Sequence, residues 1–200
     1  MDGADRSQGR SITPCLLSRL RRLARDRRGT SGIEFALIAP ILLMIYLGAF
    51  ELSVGFNMSQ KVSQATGTVA DILSQKTEVT PSELDGMKNV ALSIMAPFPV
   101  GKYALKVSGI RVTAPGVGTV AWSRDEKGGT PYAVNAIVAV PTDLTVLNTF
   151  VVRAEFSVPY ELVLLTPPGV KANSVQILNL SESYYYRQRV GLGISCSLCR

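Results

Sequence analysis

The chain has 200 residues, a formal net charge of +6 and no histidine. This length suits one domain of ordinary size plus an appendage. Without histidine, the commonest general base and the commonest metal ligand are both missing. The three cysteines, at positions 15, 196 and 199, are too few for a four-ligand zinc site. We therefore expect neither an enzyme nor a protein that carries a metal or cofactor.

The positive charge is concentrated at the N-terminus. Residues 1–28 contain eight Arg and three Asp, a net charge of +5, whereas residues 29–200 contain thirteen basic and twelve acidic residues. No basic patch interleaved with aromatic residues follows, and such a patch is the footprint of a nucleic-acid-binding protein. Nucleic acid is therefore not an expected partner.

A long apolar segment follows the basic arm. From Ile33 to Phe56 only Glu34, Pro40, Glu51 and Ser53 interrupt it. Ile33 to Val54 makes about 33 Å of helix, enough for a bilayer core of about 30 Å. The segment is longer than the apolar region of a cleavable signal peptide, which has about 7–15 residues. It predicts a helix that crosses the membrane and stays there.

The flanking charges predict the orientation of this helix. Six arginines lie just before the span, at positions 19, 21, 22, 25, 27 and 28, and only Lys61 follows it closely. Positive charge favours the cytoplasmic side of a membrane helix. We expect a single-pass protein with its N-terminus in the cytoplasm and residues 57–200 exported.

Two helices are predicted around the membrane exit. Apolar residues recur at spacings of three and four beyond the span, so the first helix should continue to about Gln75 with an apolar stripe that needs a partner. Thr80, Pro81 and Glu83 then form a capping box with proline at the first helical position, which predicts a second helix that ends before Pro97.

Strand-like segments fill the rest of the chain. Residues 103–113, 117–123, 132–140, 150–162 and 173–187 are rich in Val, Ile, Tyr and Phe and are separated by turn signals. The short spacings favour an antiparallel meander. The predicted fold class is α+β, with a long N-terminal transmembrane and amphipathic helix before a small antiparallel β-rich head, as in pilins. The predicted divisions are a leader (1–29), a span (30–56), a helical extension (57–78) and an exported head (79–200).

The start of the apolar segment reads Arg28-Gly29-Thr30-Ser31-Gly32-Ile33-Glu34-Phe35. It resembles the processing site of type IV pilins, in the form used by tight-adherence (Tad/Flp) systems, and residues 25–60 resemble the TadE-like pseudopilins. The resemblance implies cleavage after Gly29 by a prepilin peptidase, so that Thr30 starts the mature chain, Glu34 is its fifth residue and Phe35 the following aromatic. Phe35 stands where major pilins have tyrosine, which favours a minor pseudopilin.

The resemblance also implies where the protein works. It places the chain in the inner membrane of a Gram-negative cell, in pilus biogenesis and adhesion. Its implied partners are other pilus or pseudopilin subunits, the prepilin peptidase, the inner-membrane Tad machinery and membrane lipid. Two alternatives remain open at this point: an uncleaved bitopic scaffold of a secretion system, and a membrane-anchored extracytoplasmic enzyme.

Two carboxylates in the apolar segment need a physical explanation. Glu34 would pair with the new α-ammonium of a processed chain, because a charge within a membrane is costly unless it is paired. The simpler alternative is that Glu34 reaches the cytoplasmic headgroups. Glu51 lies about 25 Å further along the helix and is expected to be an interfacial charge, with contact to a partner helix as the alternative.

The C-terminal cysteines give the last candidate site. Cys196 and Cys199 have the spacing of a redox motif, but no helix follows them in the last residues of the sequence. A small disulfide that closes the exported tail fits better, and an unpaired, frayed terminus is the alternative.

Overall fold

A computed structural model describes residues 30–144, 146–162 and 177–199, without the side chains of residues 30 and 177. Helix α1 spans Thr30–Ser74, contains Pro40 and confirms the predicted end of the first helix near Gln75. The contacts divide the chain into two compact units, 1–47 and 48–200. The divisions predicted at residues 29, 56 and 78 stay predictions.

The first unit contributes the inner part of α1 to the described structure. Helix α1 contains an 18-residue window with a mean hydropathy of 2.2 and no buried residues, so this helix is long and apolar enough to cross a membrane. Ile33, Phe35 and Leu37 are each at least 65% exposed. Helix α1 is the one helix of this kind among the described residues, as expected of a membrane-anchored, single-pass protein.

In the second unit, the outer part of α1 belongs to the hydrophobic core. Its apolar stripe is fully buried at Val62, Ala65, Val69 and Leu73. These side chains share one core cluster with the sheet residues Leu105, Val107, Val152, Ala154 and Phe156. The partner that the amphipathic stripe requires is therefore the β-sheet of the same chain.

Helix α2 spans Pro81–Met95 and begins as the sequence predicts. The Thr80 Oγ1 accepts a hydrogen bond from the Glu83 backbone N–H at 3.3 Å, and the Glu83 carboxylate accepts one from the Thr80 N–H at 2.9 Å. Two donors that the helix itself cannot satisfy are thereby paired. A bidentate ion pair between Arg124 and Asp85 joins α2 to the sheet.

The sheet has five antiparallel strands. They are β1 (Ala104–Ala114), β2 (Val117–Asp125), β3 (Ile137–Ala139), β4 (Phe150–Glu161) and β5 (Ile177–Arg187), in the order β3-β2-β1-β4-β5. The α+β class is confirmed, but the simple meander is wrong, because β4 pairs with β1 rather than with β3. A second buried cluster consists of Ile110, Val112, Val140 and Val151.

The third strand is much shorter than predicted. The sequence favours a strand over residues 132–140, but Asn135 adopts a φ of 66° and the Ala136 N–H bonds to the Ala133 carbonyl. This left-handed turn is incompatible with an extended ladder. Only three residues therefore pair with β2. Residues 173–176 of the last predicted strand lie outside the described residues.

Candidate functional site

The residues predicted for processing and docking lie at the start of α1. Gly29 is outside the described residues, and Thr30 is the first residue of the helix. Glu34 and Phe35 are both exposed, Phe35 to 70%. Within residues 30–144, 146–162 and 177–199, no hydrogen bond or ion pair is made by the Glu34 carboxylate. Cleavage and docking at these positions stay predictions.

The described helix surface that follows Glu34 is almost wholly apolar. The next three turns or so of the helix expose a series of large apolar side chains: Leu37, Ile38, Ile41, Leu42, Leu43, Met44, Ile45 and Tyr46. An exposed apolar surface of this extent marks contact with lipid or with another protein. A carboxylate in such surroundings has to find its partner outside the described part of its own chain.

Glu51 has a different environment from the one expected of an interfacial charge. Its side chain is buried, since only 3% of the residue is exposed. The Tyr160 hydroxyl, at the end of β4, donates a hydrogen bond of 2.9 Å to the Glu51 Oε1. This carboxylate is therefore bound by the sheet of its own chain.

Gly55 allows the close approach that this bond needs. A Cβ atom at position 55 would lie 3.3 Å from the ring of Tyr160. Gly55 follows Glu51 by one helical turn, so the two residues share a helix face. In the sequence, the only local sign of this contact is the glycine one turn after Glu51. It does not identify the tyrosine 109 positions away.

The Tyr160 phenol stays protonated over the physiological range. Burial in the first place, and then the hydrogen bond to Glu51, raise its pKa to about 12. A neutral phenol is a donor and a carboxylate an acceptor, so the two groups are complementary at neutral pH.

The C-terminal tail is bound to the head rather than frayed. The Trp122 indole N–H donates to the Ile194 carbonyl at 2.8 Å. The Val79 N–H donates to the Ser195 carbonyl at 2.9 Å, and the Ser195 N–H donates to the Thr77 carbonyl at 3.1 Å. The tail thus lies against both the sheet and the α1–α2 connection.

Cys196 and Cys199 lie at the end of this tail. They are joined as a disulfide, with their Cα atoms 5.5 Å apart, a normal separation for such a bond. Cys199 is buried, and no helix follows it in the described tail. Oxidation of the pair in the exported protein stays a prediction, and Cys15 lies outside the described residues.

One further polar cluster lies on the outer face of the sheet. The Arg153 guanidinium stacks 4.4 Å from the centroid of the Tyr132 ring and lies 3.4 Å from the Glu155 carboxylate. The Tyr132 hydroxyl donates to the same carboxylate at 2.8 Å. The charges balance within this cluster. In the part of the chain that the structure describes, no three Cys, Asp or Glu side chains group as metal ligands.

Comparison with known proteins identifies the segment around Glu34. Residues 29–71 match the family described as TadE-like protein. No curated protein and no solved structure matches the chain. The matched segment contains Gly29, Glu34, Phe35 and Glu51 and nearly the whole of α1. The resemblance to TadE-like proteins of Tad pilus systems is thereby confirmed for the N-terminal helix.

Proposed function

Because the N-terminal helix is TadE-like, we propose that this Tad pilus-associated chain is a minor pseudopilin of a tight-adherence pilus system. It is cut after Gly29 by a prepilin peptidase and acts in pilus assembly and adhesion as a structural subunit rather than an enzyme. The carrying observation is the inner part of α1, where Glu34 lies among continuously exposed apolar side chains and has no partner in the described part of the chain.

The docking step follows from the electrostatics of this segment. An unpaired carboxylate within a membrane costs about 2–3 kcal/mol or more. Cleavage after Gly29 creates an α-ammonium at Thr30, four residues before Glu34. An opposite charge is attractive at low dielectric. The ammonium of the same or a neighbouring subunit therefore makes burial of Glu34 favourable only after processing.

The orientation places the head where assembly occurs. The arginine-rich leader holds the N-terminus in the cytoplasm, and the head is exported from the inner membrane. In this arrangement the partners are membrane lipid and the prepilin peptidase first, then other pilus subunits and the inner-membrane Tad machinery.

N-terminal sequencing tests the processing. Protein isolated from a strain with an active prepilin peptidase should begin at Thr30. Gly29→Leu should leave the full-length form in the membrane, because the peptidase has to approach the backbone closely at the cut. Gly48→Leu is the matched control, since a Cβ there meets nothing within 4 Å. Recovery of Met1 from the unaltered protein would favour an uncleaved bitopic scaffold.

Thiol labelling tests the orientation on the uncut Gly29→Leu protein, which keeps Cys15. In spheroplasts, an impermeant thiol reagent should label Cys196 and Cys199 only after reduction, because disulfides form on the oxidising side. Cys15 should become reactive only after lysis. Labelling of Cys15 in intact spheroplasts would reverse the topology.

A further inference from the structure

The second unit contains an apolar cleft that the proposed function does not use. Its volume is about 520 Å³, and its walls combine α1, the α2–β1 loop and the end of β4. The apolar walls are formed by Met58, Phe98, Pro99, Pro159 and Tyr160. Tyr160 is thus shared: its hydroxyl bonds to Glu51, and its ring forms one wall of the cleft.

The flanking part of α1 indicates what surrounds the cleft. Phe50, Leu52 and Phe56 are 54%, 74% and 65% exposed. Phe56 precedes Met58 by two residues, about 3 Å of helix rise. Exposed large apolar side chains therefore extend up the helix to the level of the cleft. In a membrane-anchored chain, this level is the boundary between the acyl chains and the headgroups, where aromatic side chains concentrate.

The loop between α2 and β1 adds a second exposed surface at the same cleft. Its sequence from Ala96 to Lys102 is APFPVGK, and Pro97, Pro99 and Lys102 are exposed. Lys102 lies at the rim of the cleft, together with Glu161. Lys102 and Glu161 leave the lining without net charge, so the match to a phospholipid lies in the apolar walls, which suit an acyl chain, and in the Lys102 ammonium, which can pair with a phosphate. A lysine near an anionic membrane surface is attracted to it.

We propose that this cleft binds a membrane phospholipid, with the upper part of an acyl chain against the apolar walls and the phosphate near Lys102. The lipid fixes the height of the head above the bilayer, because Tyr160 contacts both the lipid and the helix. The proposal depends on the membrane anchor and not on cleavage after Gly29 or on pilus assembly. It can fail or succeed independently of the proposed function.

Tryptophan fluorescence tests the position of the cleft. The full-length protein is reconstituted in nanodiscs of phosphatidylcholine and phosphatidylglycerol, with Phe98→Trp as the probe. Ile137→Trp is the matched control, since Ile137 is 77% exposed and pairs at the level of Thr119, towards the other end of the sheet. Both variants keep Trp122, which is buried under Ile194 and gives the same background.

Phospholipids brominated near the headgroup should quench about half of the emission added by Phe98→Trp and little of that added by Ile137→Trp, because only the first probe lies at the interface. Equal quenching in both variants, or none in Phe98→Trp, would overturn the proposal. Blue-shifted but unquenched emission from Phe98→Trp would show that protein fills the cleft, and this also overturns it. If Phe98→Trp does not fold, Val100→Trp in the same loop serves as the probe.

Lys102 tests the headgroup contact. In the Phe98→Trp background, bromine is carried either by phosphatidylglycerol alone or by phosphatidylcholine alone. Quenching by the anionic lipid should exceed that by the zwitterionic lipid. Lys102→Gln should remove this preference, and Lys102→Arg should keep it. A preference that Lys102→Gln leaves unchanged would refute the phosphate contact.

Discussion

Helix α1 carries two glutamates in its apolar half, and their environments are opposite. Glu34 is exposed and has no partner among the described residues, whereas Glu51 is buried and accepts a hydrogen bond from Tyr160. The residues are 17 positions apart on one continuous helix. The difference lies in which groups surround each carboxylate. The head of the same chain supplies a hydrogen-bond donor to Glu51, whereas a partner for Glu34 has to come from outside the described residues.

The apolar side chains repeat this contrast. In the outer part of α1, the stripe from Met58 to Leu73 is buried against the sheet. In the inner part, the large apolar side chains from Ile33 to Tyr46 remain exposed. The outer part is therefore a core helix of the head, and the inner part is an exposed apolar surface, which we propose is covered by lipid and partner helices. Substitutions in the two parts should change different measurements.

The largest effect is expected for Glu34→Leu. It removes the charge proposed to meet an N-terminal ammonium, so pilus assembly should be lost while the helix becomes more stable in lipid. The free energy of unfolding of the head, followed by Trp122 fluorescence, should not change. Pilus counts and denaturant titration measure the two halves of this prediction. Normal piliation would exclude the docking role of Glu34.

In the head, Gly109→Val should destabilise the core strongly. A Cβ at this position would lie 2.4 Å from Trp122 and 2.6 Å from Phe150, so both rings would have to move. Overpacking of this kind costs about 1–3 kcal/mol or more. Gly48→Val is the control, because open space surrounds that position. Denaturant titration should separate the two variants, and equal midpoints would contradict the packing around Trp122.

Tyr160→Phe tests the bond that distinguishes Glu51 from Glu34. Loss of the hydroxyl removes a donor from a buried carboxylate, at a cost of about 1–3 kcal/mol. Tyr46→Phe is the matched change in the inner part of the helix, where the ring is 68% exposed. It should leave the unfolding of the head unchanged. If both variants unfold like the unaltered protein, the Tyr160–Glu51 bond contributes nothing to stability.

The smallest expected effect is a change in the stability of the head at alkaline pH. The folded head holds the Tyr160 pKa at about 12, above the ordinary value of 10, so folding favours the protonated phenol. The corresponding stability is complete below pH 10 and is lost as the pH rises to about 12. The free energy of unfolding should fall less steeply over this range in Tyr160→Phe.

Tyr132 gives a residual alkaline effect in that variant. Its pKa is also raised, first by burial and then by its hydrogen bond to Glu155. In a double variant, Tyr160→Phe with Tyr132→Phe, the free energy of unfolding should therefore depend even less on pH over this range. Identical alkaline slopes in the unaltered protein and in Tyr160→Phe would refute the assignment of this effect to Tyr160.

Local signals in the sequence predicted the local structure well. The capping box at Thr80 and Glu83 is formed as expected, and α1 ends within a residue of Gln75. These features depend on neighbours three or four positions apart, which a sequence displays directly. The TadE-like segment around Glu34 was likewise recognisable, because its residues are contiguous.

Non-local structure was not predictable in the same way. The order of strands β1 to β5 is set by pairings between segments that are distant in the sequence. The residue pattern within one strand does not indicate which other strand pairs with it. The Tyr160–Glu51 hydrogen bond joins residues 109 positions apart, so the residues near Glu51 in the sequence do not indicate its partner. Asn135 adopts a left-handed conformation that interrupts the extended backbone, so β3 is shorter than predicted. The composition of residues 132–140 did not indicate this turn.

The bound tail has a consequence for the order in which the head acquires its contacts. Ser195 bonds to Thr77 and Val79, and the Ile194 carbonyl accepts a hydrogen bond from the Trp122 indole, so the core is completed by residues at least 72 positions away along the chain. Contacts between such distant positions form only after a long loop has closed. The head therefore reaches its final packing only after residues 194 and 195 have joined it. Until then, Trp122 and the α1–α2 connection lack the contacts that the tail provides.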